Sequence, residues 1–361
     1  IAQLVNQQGL SLDVSSGGEL YTALQANVPS EDIFFHGNNK TIEELALAIE
    51  NNVTIIVDNL QELKNICELN QSKTNVNIMI RLKPEIDAHT HEYIKTGQLD
   101  SKFGVSRKNF DMFIDLIKHN SFLKFRGIHS HIGSQIFDVK PYMELIDILI
   151  PFIKMLNDQH GLDVELLNCG GGMGINYLKT DEAFNIEQFV EQFAAYLKQQ
   201  CDLYNIKHPT LLFEPGRSLI GSAGITLYKA GTIKEIPEIK TYIFVDGGMA
   251  DNMRPLLYQA EYTFDKVRRS GAEKKRYSIA GKFCESGDVL ANNIELEKVS
   301  VGDHLIVFAT GAYNYSMSSN YNRNTRPMMV MVDGSTITPL VKRETYKDLL
   351  RFDCKLPDTL S

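Results

Sequence analysis

Glu214-Pro215-Gly216-Arg217 sets a carboxylate and a guanidinium close together at the end of an apolar run, Leu211–Glu214. A carboxylate there could pair with a protonated ring nitrogen and hold its proton, because an opposite charge favours the ionised form. A structural ion pair at a strand end would look the same. Gly170-Gly171-Gly172 follows a second run, Val164–Asn168. Three glycines let backbone N–H groups approach an anion closely, although a plain flexible loop is the simpler reading. His129-Ser130-His131-Ile132-Gly133-Ser134-Gln135 closes a third run. Alternation puts His129 and His131 on one face, where an imidazole could stack on a flat ring and Ser134 could donate to a phosphate.

Two later clusters are less specific. Gly281-Lys282-Phe283-Cys284-Glu285-Ser286-Gly287-Asp288 joins a thiol and two acids in an exposed turn, or is an ordinary polar loop. Lys282 is not at a strand end and does not read as a Schiff-base lysine. Gly311-Ala312-Tyr313-Asn314-Tyr315 and Asn320-Tyr321-Asn322 are rich in phenols and amides that can anchor phosphates or carboxylates, or simply pack.

The elements that must position these residues alternate. Short apolar runs (Ser11–Ser15, Ile33–His36, Thr54–Asp58, Asn77–Leu82, Arg126–His131, Val164–Asn168, Leu211–Glu214) are separated by amphipathic stretches such as Thr41–Asn51, Asn109–Asn120, Met143–Gln159 and Asn185–Tyr204. Strand–helix alternation predicts a parallel sheet covered by helices. Polar residues gathered at the C-terminal strand ends predict a (β/α)8 TIM-type barrel. Seven strands are legible where eight are needed. Ile1-Ala2-Gln3-Leu4-Val5 reads as the tail of a helix stopped by Gly9, so the first strand is expected to precede Ile1. Beyond about Gly221 the runs Ile225–Ile233, Thr241–Val245, Arg276–Ala280, Asp303–Phe308 and Met328–Val332 predict a mostly antiparallel β domain. The expected domains are therefore 1–221 and 222–361.

Composition bounds the function. A chain of 361 residues suits two domains. A net charge of −8 argues against a nucleic-acid surface. No apolar run is long enough to span a bilayer, and none follows a charged segment as in a signal peptide. Five scattered cysteines, Cys67, Cys169, Cys201, Cys284 and Cys354, have no zinc-type spacing and predict free thiols in a reducing cytoplasm, with no metal site.

In this order the motifs resemble the fold type III pyridoxal-phosphate-dependent decarboxylases, from Leu12 to about Asn322. The resemblance implies pyridoxal 5'-phosphate as cofactor. It implies Asp13 and Arg81 near it, His131 stacked on its ring, and Ser134, Gly170, Gly171, Gly172 and Tyr313 on its phosphate. Glu214 would pair with the pyridinium, with Arg217 beside it. The family's alanine racemases carry an arginine where Glu214 stands, so Glu214 favours decarboxylation. Met253-Arg254-Pro255-Leu256-Leu257-Tyr258, the Cys284–Asp288 turn and the stretch His89–Gly97 are similar to the branch that acts on diaminopimelate. That substrate carries an amino-acid group at both ends. Arg217, Arg254 and Glu285 would take the distal carboxylate and ammonium, with Tyr258 and Tyr313 alongside, and Cys284 would return the proton. The implied activity is conversion of meso-2,6-diaminopimelate to L-lysine and carbon dioxide by a cytoplasmic homodimer. Each site would be completed by the partner's Cys284–Asp288 loop. The family's cofactor lysine falls before Ile1, so the chain alone is expected to show no lysine-linked cofactor absorbance and little turnover. An ornithine-, arginine- or lysine-type decarboxylase, a catalytically inactive homologue and a phosphate-binding barrel isomerase are the competing readings. Arg254 with Glu285, the intact polar site and the β domain argue against them in turn.

Overall fold

Parallel strands buried on both faces read as unbroken apolar runs rather than alternating ones. The N-terminal strands are of this kind: Ile33–Phe35 and Thr54–Val57 are buried at every position. In the computed structural model, which describes residues 1–84, 101–181 and 184–356, these two and five further strands form one sheet. They are β1 (Leu12–Val14), β2 (Ile33–Phe35), β3 (Thr54–Val57), β4 (Val76–Arg81), β5 (Leu123–His129), β6 (Leu166–Asn168) and β7 (Thr210–Leu212). They pair in chain order, each parallel to the next.

The sheet is strongly curled. Laid flat, its six inter-strand steps would hold β1 and β7 roughly 29 Å apart. Instead His36, just past β2, lies 3.6 Å from Asp13 of β1 and 2.9 Å from Glu214, two residues past β7. Phe34, Ile56 and Met79 pack with Leu166 and Leu212 as a cluster drawn from five strands. This is the barrel wall expected from the alternation of strand and helix.

Local signals start the covering helices. Thr41 and Glu44 form a reciprocal capping box at helix Ile42–Glu50, and the other Glu44 oxygen accepts from the Gly17 N–H at 2.6 Å. Asn59 caps Leu60–Leu69 and Asn185 caps Ile186–Tyr204. The long helix Lys140–His160 stops at Gly161 in the left-handed conformation. The opening helix is Ala2–Gln7, and Gly9 has φ 71°.

Two compact units result, Ile1–Gly174 with Asn185–Pro215, and Ile175–Phe184 with Gly216–Ser361. The second holds β8 (Thr226–Ile236), β9 (Lys240–Val245), β10 (Phe264–Lys266), β11 (Lys274–Ala280), β12 (Val289–Glu297) and β13 (His304–Val307). Their order is β10-β13-β8-β9-β11-β12. All pairs are antiparallel except β9 with β11. A core including Tyr228, Ile243, Tyr277, Ile279 and Leu305 fills it. A hairpin of β14 (Met329–Asp333) and β15 (Thr336–Val341) follows. The stretch His89–Gly97 lies outside the described residues.

Candidate active site

The C-terminal ends of the barrel strands carry the polar residues of the first unit. Glu214 is at the centre. Its Oε1 lies 2.8 Å from Asn168 Nδ2, 2.9 Å from His36 Nε2 and 3.2 Å from His129 Nε2. The His36 contact is an ion pair by distance, with an angle short of a hydrogen bond. Burial would push the Glu214 carboxyl up, but His129 and His36 outweigh it and hold the group well below the usual carboxylate range. Burial also works against a charge on His36, yet the Asp13 and Glu214 carboxylates outweigh it and raise that imidazole. His129 is sealed in, and burial pushes it down to about 4. It therefore serves Glu214 Oε2 as a neutral Nε2–H donor at 3.4 Å, and its Nδ1 has no hydrogen-bond partner among the described residues. Asp13, with 41% of its side chain open to water, is raised by the surrounding protein, and His36 partly counters this. Two imidazoles and a carboxylate within 4.8 Å are also the ligand types of a transition-metal site. Here the Asn168 hydrogen bond and the histidine contacts already fill Oε1, and account for the grouping.

The glycine loop sits beside this carboxylate because nothing larger fits. A Cβ on Gly171 would lie 2.1 Å from the Glu214 carbonyl oxygen, and one on Gly170 would lie 2.7 Å from His131 Nδ1. Gly170 and Gly172 also adopt positive φ, 70° and 110°. Gly170 N–H donates to Asn168 Oδ1 at 2.9 Å, Gly171 N–H to His131 Nδ1 at 3.3 Å, and Tyr142 Oη–H to the Gly171 carbonyl at 2.9 Å. Arg81 ends β4, 3.7 Å from Asp58 and over the Phe103 ring at 4.4 Å. Ser134 is exposed on the loop after β5.

In the second unit two arginines share a set of tyrosines. Arg217 lies 4.7 Å from the Tyr313 ring centre and donates to Tyr177 Oη. Arg254 lies 5.4 Å from both Tyr258 and Tyr313 and 5.9 Å from Tyr177. Rings that bear on guanidinium groups fix their direction. The Cys284 and Glu285 side chains are exposed. Their loop is pinned from below by buried Asp288, which accepts from Met249 N–H at 2.7 Å and Phe283 N–H at 2.9 Å. Tyr321 Oη–H reaches Glu285 at 3.4 Å, and Cys284 N–H donates to Asn322 at 3.0 Å.

Residues 1–221 match the family model described as pyridoxal-dependent decarboxylase, pyridoxal binding domain. Diaminopimelate decarboxylase of Bacillus subtilis is 44% identical over 358 residues, spanning 97% of this chain and 81% of the relative. Its namesake from Synechocystis is 46% identical over 371 residues, spanning 100% and 78%. The crystal structure of the M. jannaschii diaminopimelate decarboxylase in complex with L-lysine superposes with a TM-score of 0.92 at 36% identity, over 99% of this chain and 82% of that one. The chain belongs to the diaminopimelate decarboxylase family of pyridoxal-dependent decarboxylases.

The family's cofactor fits the first unit. An ionised, well-held carboxylate, an imidazole at His131 and a crowded glycine loop stand together at one end of the barrel. The first unit gathers Asp13, Arg81, His131, Gly170, Gly171, Gly172 and Glu214 at or beyond strand ends. The second gathers Arg217, Arg254, Tyr258 and Tyr313, and carries Cys284 and Glu285 on their own loop. One sequence expectation needs correction. β5 ends at His129, so strand alternation does not carry His131. Ser130 Oγ–H turns inward to the Leu82 carbonyl at 2.8 Å, and His131 belongs to the loop. Three residues absent from the expected site matter: His36, Asn168 and Asp58. Each is a polar residue ending or following an apolar parallel strand, a signal that marks them as candidates without placing them beside Glu214.

Proposed function

We propose that this protein converts meso-2,6-diaminopimelate to L-lysine and carbon dioxide with pyridoxal 5'-phosphate. When bound, the cofactor supplies the electron sink for the pair left behind as a carboxylate departs. The rest falls to the chain. Glu214, kept ionised, holds the proton on the ring nitrogen. His131 would stack on the ring. The loop of Gly170, Gly171 and Gly172, with Ser134 and Tyr313, would take the phosphate, and Asp13 and Arg81 would flank the ring. Arg217 and Arg254, aimed by tyrosines that include Tyr258, bind the distal carboxylate, and Glu285 takes the distal ammonium. Cys284 Sγ–H supplies the proton that replaces the lost carboxylate. Residues 1–221 form the cofactor-binding part and 222–361 contribute substrate and dimer contacts. The enzyme acts as a cytoplasmic homodimer whose Cys284–Asp288 loop serves the partner's site.

The observation that carries this reading is Glu214, half-buried two residues past the last barrel strand and held ionised beside two histidines. Product analysis across diaminopimelate, ornithine, arginine and lysine tests it. L-lysine from diaminopimelate alone is the expected result. A diamine from ornithine or lysine at a comparable rate would replace it with the competing specificity.

A further inference from the structure

The contacts on Glu214 are lopsided. Oε1 accepts from Asn168 Nδ2–H at 2.8 Å and has His36 Nε2 at 2.9 Å and His129 Nε2 at 3.2 Å as ion-pair contacts. Oε2 holds a single hydrogen bond, from His129 Nε2–H at 3.4 Å. Of the three, His36 alone is favoured as a cation, because it is wedged between Glu214 and Asp13.

The scaffold around His36 is stiff. Its backbone N–H donates to the Val14 carbonyl at 2.7 Å. Its ring stands edge-on to His129, with centroids 4.7 Å apart. Lys40 Nζ donates to the Gly37 carbonyl at 2.9 Å, the Ile56 carbonyl at 2.8 Å and Glu62 at 2.7 Å, which clamps the turn that follows. Gly37, at φ 129°, makes that turn. The charged and titratable groups facing His36 are Asp13 from β1, Asp58 after β3, Arg81 from β4, His129 from β5, His131 from the next loop and Glu214 after β7.

We propose that His36 is a positioning residue: its ring, lodged between Asp13 and Glu214, joins Asn168 at Oε1 of Glu214 and so leaves Oε2 as the oxygen that would face the cofactor's ring nitrogen. The inference rests on the proposed function above and adds the residue that sets the carboxylate's direction. A carboxylate without this anchor can rotate and share its oxygens, and the bond to the ring N–H weakens. The phosphate contacts, on the glycine loop, are untouched.

The test compares two ligands, pyridoxal 5'-phosphate and its 1-deaza analogue, in which a ring C–H replaces the nitrogen. Binding to the purified protein is followed by fluorescence titration, with circular dichroism as the check on folding. His36→Ala is expected to lose about tenfold in affinity for pyridoxal phosphate, the scale of weakening one charge-assisted hydrogen bond. Its affinity for the deaza analogue should stay within about twofold. His36→Gln, which keeps the side-chain bulk and a donor but no charge, should show a selective loss of roughly threefold, and it decides the matter should the alanine variant not fold. Equal losses for both ligands, or none, would overturn the proposal. Glu214→Gln separates the two levels. If it discriminates between the ligands while the His36 variants do not, His36 is only structural and the proposed function stands. If it does not discriminate either, the ring-nitrogen reading of Glu214 fails and this inference falls with it.

Discussion

Glu214 concentrates the chemistry because its surroundings settle its charge before any ligand arrives. A buried carboxylate would ordinarily protonate, and a neutral acid could not hold a proton on a pyridine ring. The histidine contacts reverse that tendency. Glu214→Gln should therefore lower decarboxylation roughly 100-fold, the scale of losing one preorganised electrostatic contact in an active site. Cofactor binding through the phosphate should remain. An unchanged turnover number in a variant that still binds cofactor would leave Glu214 a structural role only. Cys284 and Glu285 should separate in the same way. Cys284→Ala is expected to slow turnover or misdirect the returning proton. Glu285→Gln is expected to raise the KM for diaminopimelate about tenfold, as a charge-assisted bond becomes a neutral one. Similar effects on kcat and KM in both variants would contradict that assignment. At this scale the motifs named in the sequence were legible because glycines, acids and arginines cluster there. His36 and Asn168 stand singly, and only the curl of the sheet brings them to Glu214.

Among elements, the glycine loop after β6 is the most demanding. Gly171→Ala would drive a methyl group into the Glu214 backbone, a clash that no side-chain rotation relieves. A loss of about 2 kcal/mol in urea unfolding is expected, together with weaker cofactor binding. Gly216→Ala, with nothing within 4 Å of its Cβ, should be near neutral. Equal effects of the two would mean that crowding is not what the loop glycines serve. Strands β2 and β3 of the barrel wall were the most legible, because burial at every position leaves an apolar run without alternation. Helix Gly17–Gln25 was not, because it opens with two glycines, although Ser16 caps it by accepting from Glu19 N–H. Strand β12 was hidden for a different reason. Asn293 takes φ 52° and the pairing with β11 shifts register, which breaks the period-two pattern. Strand β15 contains Pro339 and is almost wholly exposed, so neither propensity nor burial marks it.

The whole molecule should show the cost of a sealed neutral histidine. The folded pKa of His129 is lowered from 6.5 to about 4, so between those values the unfolded chain binds more protons and folding weakens as pH falls. Full passage through that window is worth roughly 3 kcal/mol. Glu214, also depressed, acts in the same direction at the acid end. His36 is raised, so its contribution is present below 6.5 and is lost as pH rises through its folded value. Urea unfolding of His129→Gln at pH 7 and pH 4.5 should show a shallower acid loss than the parent protein, and an equally steep loss would contradict the assignment. Assembly offers a second test. If the Cys284–Asp288 loop completes the partner's site, mixing Cys284→Ala/Glu285→Ala with Glu214→Gln should restore activity to at most about a quarter of the parent level, since half the dimers are mixed and each holds one intact site. Mixed dimers that form but stay inactive would return the loop to its own subunit.

The most direct measurement is a single-turnover assay on the chain extended by the lysine-bearing strand expected before Ile1, with pyridoxal phosphate supplied and meso-diaminopimelate labelled in its carboxyl groups. Label should appear in carbon dioxide in step with unlabelled ornithine giving no diamine, L-lysine should form in equal amount, and Glu214→Gln should slow the release by orders of magnitude. No cofactor-dependent release from diaminopimelate, or release at the parent rate in Glu214→Gln, would contradict the account.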